Sequence, residues 1–354
     1  MGDVHLALRS TGVQAALLAA VLFGAGTPAA KVLLGSVSPW LLAGLLYCGS
    51  GLGLGVWRIA RRAPRVRLSR SEWLPLVGAV SCGGVIAPVL LMAGLTHLPA
   101  SGASLLLNAE SVFTALLAWF VFRENANSRV VLGMVAIVAG AVVLSAPSGA
   151  DFGGYWPSLA VLGACLMWGV DNNLTRKVAL ADATWLAAVK GIVAGPVNLV
   201  LATAVGAHVP PALSIVGAML VGLLAYGVSL VLFIVGLRHV GSARAGAYFA
   251  IAPFFGAVVA IALGDPLTWQ IVVAGVLMAI GVWLHLSERH QHPHTHAPLS
   301  HDHYHRHDDE HHDHVHGPGV PPLDRRGGHR HEHEHVPVTH THEHFPDMHH
   351  RHLH

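Results

Sequence analysis

Apolar residues fill the first 286 positions in runs of about 20, the length a helix needs to cross the hydrocarbon core of a bilayer. Ten runs are read, at roughly 13–34, 39–58, 73–95, 99–122, 129–146, 156–175, 184–206, 211–236, 241–263 and 268–286. Backbone groups in lipid must pair within their own segment, so each run is expected to be a helix. Turn residues punctuate them: Ser38-Pro39, Pro64, Pro99, positions 125–128, Pro147, Pro210-Pro211 and Asp265-Pro266. After 289 the pattern changes to polar alternation with histidine at every second position in places. The prediction is an all-α integral membrane unit of ten transmembrane helices, followed by a disordered tail.

Composition agrees. The 354 residues are 53% hydrophobic and only 11% charged, against about a quarter charged in soluble domains. This excludes an ordinary soluble core. Six arginines between Arg58 and Arg70 assign that loop to the cytoplasm. Arg123, Arg129, Arg176, Lys177, Arg238, Arg244 and Arg289 then fall on the same side, and Lys31 on the other. An even number of spans puts both termini in the cytoplasm, and a bacterial inner (plasma) membrane is the expected location. The first run reads as a retained helix, because it has a counterpart later in the chain. Cys48, Cys82 and Cys165 lie inside apolar runs and suggest neither disulfides nor a thiolate site. "GSGLGLG" (49–55) sits within a span with glycine spacing wrong for a dinucleotide site. No hydrolase, kinase or phosphate-loop motif is found, so neither an enzyme nor a nucleic-acid partner is expected.

The two halves resemble each other. "GLTHLPASGAS" (94–104) matches "GLRHVGSARAG" (236–246), pairing His97 with His239. "FG" at 23–24 matches "WG" at 168–169; Trp40 meets Trp185 and Lys31 meets Arg176. Five helices per half is an odd number, so the halves are expected to be inverted, as in many secondary transporters. The stretches "LLLNAESVFTALLAWFVFRE" (105–124), "WGVDNNLTRK" (168–177), "KGIVAGPVN" (190–198) and "AYFAIAPFFGAVVAIALGD" (247–265) carry a family likeness. The chain resembles an EamA-type member of the drug/metabolite transporter superfamily over about 13–286. The resemblance implies ten helices in two inverted five-helix repeats. The family's usual proline in the fourth helix is Ser111 here, Pro253 is kept in the ninth, and Asp265 stands for the usual glutamate. The domains are then 1–146, 147–289 and a tail, 290–354.

Ionisable groups inside spans are costly and mark a pathway or site. The candidates for substrate binding or coupling are Glu110 with Asn108, then Asp171, Asn172 and Asn173, and Lys190. The repeat sets them against Ala252, Gly26 and Leu45 for Glu110, Asp171 and Lys190, so the scaffold itself does not require them. Glu110 is expected to carry a proton, or to bind an amine or metal cation. A structural partnership with Lys190 or the asparagines stays open, as does a pair of Asp171 with Arg176 or Lys177. Gly83-Gly84 with Pro88, and Pro28 and Pro196, are places for a break or kink.

Positions 290–354 hold 23 of the 28 histidines, interleaved with carboxylates and broken by prolines and "GPG". Neutral imidazole ligates Zn, Ni, Co and Cu. The metal candidates are His301, His303, His305, His307, His311, His312, His314, His316, His329, His331, His333 and His335. Two functions follow. One is a gradient-driven exporter of a small organic solute, with a cytoplasmic metal-binding tail and no required cofactor. The other is a Ni/Co/Zn exporter with the tail as collector. The expected partners are a small-molecule substrate, the lipid bilayer and divalent metal ions.

Overall fold

A computed structural model describes residues 11–64, 66, 68–122, 128–145, 155–175, 178, 182–240, 248–286, 290–295, 299–306, 328–335 and 339–344. The chain divides into two units, Met1–Glu288 and Arg289–His354. The first unit is built of helices and the turns that join them, with no strand among its described residues.

Its helices are α1 (Thr11–Leu33), α2 (Pro39–Ala60), α3 (Arg70–His97), α4 (Ala100–Leu106 and Ala109–Phe122) and α5 (Ser128–Ser145). Next come α6 (Trp156–Thr175), α7 (Ala183–Ala204), α8 (Ala212–Gly222, Leu223–Val228 and Ser229–Val240), α9 (Ala252–Ala262) and α10 (Trp269–Leu286). Among the described residues, six helical stretches are long and apolar enough to cross a membrane; they belong to α1, α2, α3, α4, α7 and α8. Helices α5, α9 and α10 contribute shorter apolar lengths. Asp171, Asn172 and Asn173 lower the hydropathy of α6. Large apolar side chains cover the outside, including Leu74, Phe120, Val142, Leu213 and Trp283, each more than 60% exposed. A surface of this kind suits lipid and not water.

The pairing of helices has an internal order. Helix α2 lies against α7, and α5 against α10. Helix α1 packs on α8 and α9, while α6 packs on α3 and α4. Replacing each helix by the one five places away regenerates the same pairs. Small residues permit the closest crossings. At Gly51 of α2 and Gly191 of α7, a Cβ on either would run into the backbone of the other.

Two helices change pitch at matching places. Val80–Ile86 in α3 and Leu223–Val228 in α8 are π-helical. They begin 143 residues apart, within the 142–145 spacing of the sequence repeat. Pro88 explains part of the first. It has no N–H to give Gly84, four residues back. The Ala87 N–H bonds Cys82 instead of Gly83. Both glycine carbonyls are left for other donors. The kink anticipated at Gly83-Gly84 and Pro88 is therefore a π segment.

In the second unit, the described tail segments form strands where an unstructured tail was expected. β1 (His290–Thr295) pairs antiparallel with β4 (Thr339–His344), and β2 (Leu299–Arg306) with β3 (Gly328–His335). The regular polar alternation suits a period-two strand.

Candidate functional site

Three ionisable residues of the apolar unit, Glu110, Asp171 and Lys190, come together where α4, α6 and α7 meet. Lys190 Nζ lies 2.5 and 2.7 Å from the two Asp171 carboxylate oxygens. Thr175 donates to Asp171 at 2.8 Å and accepts from Lys190 at 3.3 Å. The side chains are 8% exposed for Asp171 and 18% for Lys190. Their mutual neutralisation is what lets two charges lie in an apolar bundle.

Glu110 stands beside this pair. Helix α4 breaks at Leu107 and Asn108, and restarts at Ala109, so Glu110 falls in a first helical turn. Acidic groups are favoured there by the unpaired N–H groups and the helix dipole. Asn172 Nδ2 donates to Glu110 Oε1 at 2.8 Å and to Thr114 Oγ1 at 3.3 Å. Asn173 is turned to structure: it donates to the Thr114 and Gly169 carbonyls at 3.1 and 2.9 Å.

The π segment of α3 forms the next wall. Gly83 O accepts from Tyr47 Oη at 2.7 Å and from Trp168 Nε1 at 3.1 Å. Gly84 O accepts from Asn198 Nδ2 at 3.0 Å. Helices α2, α6 and α7 are thus tied to one interrupted turn. A Cβ at Gly83 would collide with the Asp171 carboxylate, so glycine makes room for the charge. From Tyr47 an aromatic series continues into the other half. Tyr47 and Tyr226 have ring centroids 5.7 Å apart, Tyr226 and Phe23 5.9 Å, Phe23 and Phe249 5.3 Å, and Phe249 and Phe233 4.7 Å. One side of the assembly is charged and the adjoining side aromatic.

Helix ends are pinned by long-range contacts. Arg58, at the end of α2, pairs with Asp182 at 2.8 Å and donates to Thr184 at 2.8 Å. Asp182 caps α7, accepting from the backbone N–H of Thr184 and Trp185. Burial alone would raise its carboxyl; hydrogen bonds from Thr184, Arg58 and the Trp185 backbone, with the Arg58 charge, hold it at about 2. Lys31 donates to the Leu95 and Thr96 carbonyls at 2.6 and 3.1 Å, closing the end of α3. Asp265 accepts from the Ser101 backbone N–H at 2.8 Å, capping α4.

Of the residues read from sequence, Glu110, Asp171, Asn172 and Lys190 form one cluster, with Asn173 beside it. Asn108 is not joined to it by a hydrogen bond. It sits at the α4 break, donating to Leu105 O at 2.9 Å and approaching Met278 Sδ at 3.9 Å. Asp171 takes Lys190 as its partner; Arg176 and Lys177 lie outside the described residues. Sequence reading missed Thr175, Thr114, Tyr47, Trp168 and Tyr226. The doubled "FG/WG" positions were the available signal for Trp168. Among the residues whose side chains are described, no group of three His, Cys, Asp or Glu is placed to hold a metal. Of the tail candidates, His301, His303 and His305 lie on β2, and His329, His331, His333 and His335 on β3. His307, His311, His312, His314 and His316 lie outside the described residues. His290, His292 and His294 on β1 and His340, His342 and His344 on β4 were not among the candidates, although they share the same alternation.

A bundle of apolar helices with a charged cluster held among them has the make-up of an integral membrane transporter. A profile of the EamA-like transporter family matches residues 10–146 and again 155–287, and the chain belongs to that family. An uncharacterized transporter of Methanothermobacter thermautotrophicus is 29% identical over 297 residues, covering 78% of this chain and 86% of that protein. A probable terminal-alkyne amino-acid exporter of Streptantibioticus cattleyicolor is 30% identical over 169 residues, covering 47% of this chain and 55% of the relative. A crystal structure with 18% identity superposes with a TM-score of 0.60 over 78% of this chain and 96% of its own, a likeness of fold.

Proposed function

We propose that this chain is a secondary carrier that exports a small amphipathic organic solute by alternating access between two inverted five-helix repeats. The observation that carries the reading is the meeting of opposite chemistries at one place. The Asp171–Lys190 pair and Glu110 lie near Tyr47, which opens an aromatic series drawn from both halves. A solute bearing both an amine and a carboxylate would exchange partners with the ion pair, while its apolar part lies on the rings. The name of the Streptantibioticus relative, a probable amino-acid exporter, supports this class. Glu110 is the group offered for proton coupling. It accepts a hydrogen bond from Asn172, and no part of the repeat requires it. The arginine-rich loop at 58–70 favours a cytoplasmic face for that end of the bundle.

The test is efflux from cells preloaded with radiolabelled zwitterionic amino acids of varied side chain. Cells carrying the chain should lose at least one of them faster than cells without it. Asp171→Asn and Lys190→Met should each stop that efflux, and Glu110→Gln should stop it or remove its dependence on the proton gradient. Unchanged efflux in all three variants would remove the cluster from the pathway. If no amino acid in the panel moves, the substrate class is wrong.

A further inference from the structure

The family match ends before the tail, at residue 287. The tail's strand register has a property that its composition does not supply. In the β1–β4 ladder, His290 is opposite His344, His292 opposite His342, and His294 opposite His340. In the β2–β3 ladder, His301 is opposite His333, His303 opposite His331, and His305 opposite His329. Alternate positions of a strand share a face. Three opposed pairs therefore share a single face in each ladder; β1–β4 gathers six histidines there, and β2–β3 seven, with His335 opposite Leu299. A shift of one residue in either register would set histidine against glutamate, threonine or proline and scatter the set.

The other face of β2–β3 is of a different kind. It sets Asp302 opposite Glu332, Ser300 opposite Glu334 and Tyr304 opposite Arg330. Like charges directly opposite oppose pairing. A two-stranded ladder is marginal in water without a hydrophobic face to bury, and neither ladder has one. Something else must hold the strands in this register.

We propose that each ladder is a binding site for a borderline divalent cation (zinc, nickel, cobalt or copper), held by four histidines at two adjacent opposed pairs of register positions. Directly opposed residues lie about 5 Å apart at Cβ, and adjacent same-face positions about 7 Å apart along the strand. Four imidazoles rooted at the corners of such a patch have the donor type and number of a tetrahedral nitrogen site. In β2–β3 the quartet is His301, His303, His331 and His333, or the quartet that shares His303 and His331 with His305 and His329. In β1–β4 it is His290, His292, His342 and His344, or the quartet that shares His292 and His342 with His294 and His340. The cation cross-links strands some 30 residues or more apart in sequence and fixes the register that the other face opposes. Its binding energy becomes ordering energy for the tail.

The test uses the full chain, purified in detergent without an added histidine tag and titrated with Zn(II), and with Co(II) for its visible spectrum. Two variants remove the same number of histidines. One changes the opposed quartet, His301, His303, His331 and His333, to Gln. The other changes His307, His311, His312 and His314 to Gln, all outside the described strands. The full chain should bind at least two tight ions beyond those bound by a chain ending at residue 289. The ladder variant should lose one of them, or bind it roughly tenfold or more weakly, together with its share of the tetrahedral Co(II) absorption. The off-ladder variant should keep both. Equal losses in the two variants would show a tail that gathers metal without a register, and would overturn the proposal. So would binding no greater than that of the shortened chain.

Discussion

At the scale of single residues, Arg58 and Asp182 give a measurable dependence on pH. The Asp182 carboxyl sits at about 2 in the fold, below its ordinary value of 3.8. A depressed value contributes stability above the unfolded value, and that contribution is lost as pH falls from about 4 through about 2. The pair is partly exposed, so its worth at neutral pH is at most about 1 kcal/mol. Asp182→Asn keeps a side-chain acceptor for the α7 cap and removes only the charge. Thermal unfolding in detergent should show the wild type losing its small advantage over this variant between pH 4 and pH 2. A constant difference across that window would mean that the pair does not carry the effect. Residue identities in the cluster were readable in advance, because Glu110, Asp171 and Lys190 are rare charges in apolar runs. Their partners were not. Asn172 meets Glu110 across 62 residues, and Lys190 meets Asp171 across 19; hydropathy holds no record of which helix faces which. Asp171 invited pairing with basic residues a turn away, and the fold gave it one on the next helix.

Among the elements, α3 and α4 show how a helix is spent on chemistry. Each gives up regular hydrogen bonding inside the bundle: α3 at its π segment, α4 at Leu107 and Asn108. The first releases two carbonyls to side chains of three other helices, and the second creates an N-terminal turn for Glu110. Gly83 is the tightest point. Gly83→Ala would press a methyl group on the Asp171 carboxylate, and overpacking of this sort costs about 1–3 kcal/mol. Gly102→Ala is the control, because a Cβ there meets nothing within 4 Å. The first variant should melt several degrees lower and transport poorly; the second should melt at or above the wild type, since alanine is the better helix former. Equal melting of the two would mean that α3 relaxes around the added carbon. The proline and paired glycines of α3 made its interruption foreseeable. The α4 break was not, because "LLLNAES" carries neither glycine nor proline, and only its packing against α9 and α6 places it. The tail strands were also unforeseen, since segments with so few apolar residues give little hydrophobic reason to pair.

For the whole molecule, the two family matches and the exchange of helix partners describe one scaffold used twice. The scaffold was legible from doubled motifs, spaced 142–145 residues apart, because such spacing survives in sequence even when residue identity does not. What the doubling does not preserve is chemistry. Charges collect on α4, α6 and α7, and the rings beyond Tyr47 come from α1, α8 and Phe249. The two halves are therefore complementary parts and not spare copies. A gene cut between residues 146 and 155, expressed as two separate polypeptides, should still yield a working carrier, since helices of each half pack mainly on those of the other. Either fragment alone should yield none, even where it pairs with itself. A self-paired first half would have rings and Glu110 without the Asp171–Lys190 pair, and a self-paired second half two such ion pairs without Glu110. Efflux from cells making one fragment, the other or both would read this directly, and activity from a single fragment would refute it. On this view the duplication ended as a division of labour, and neither half can now be inherited without the other.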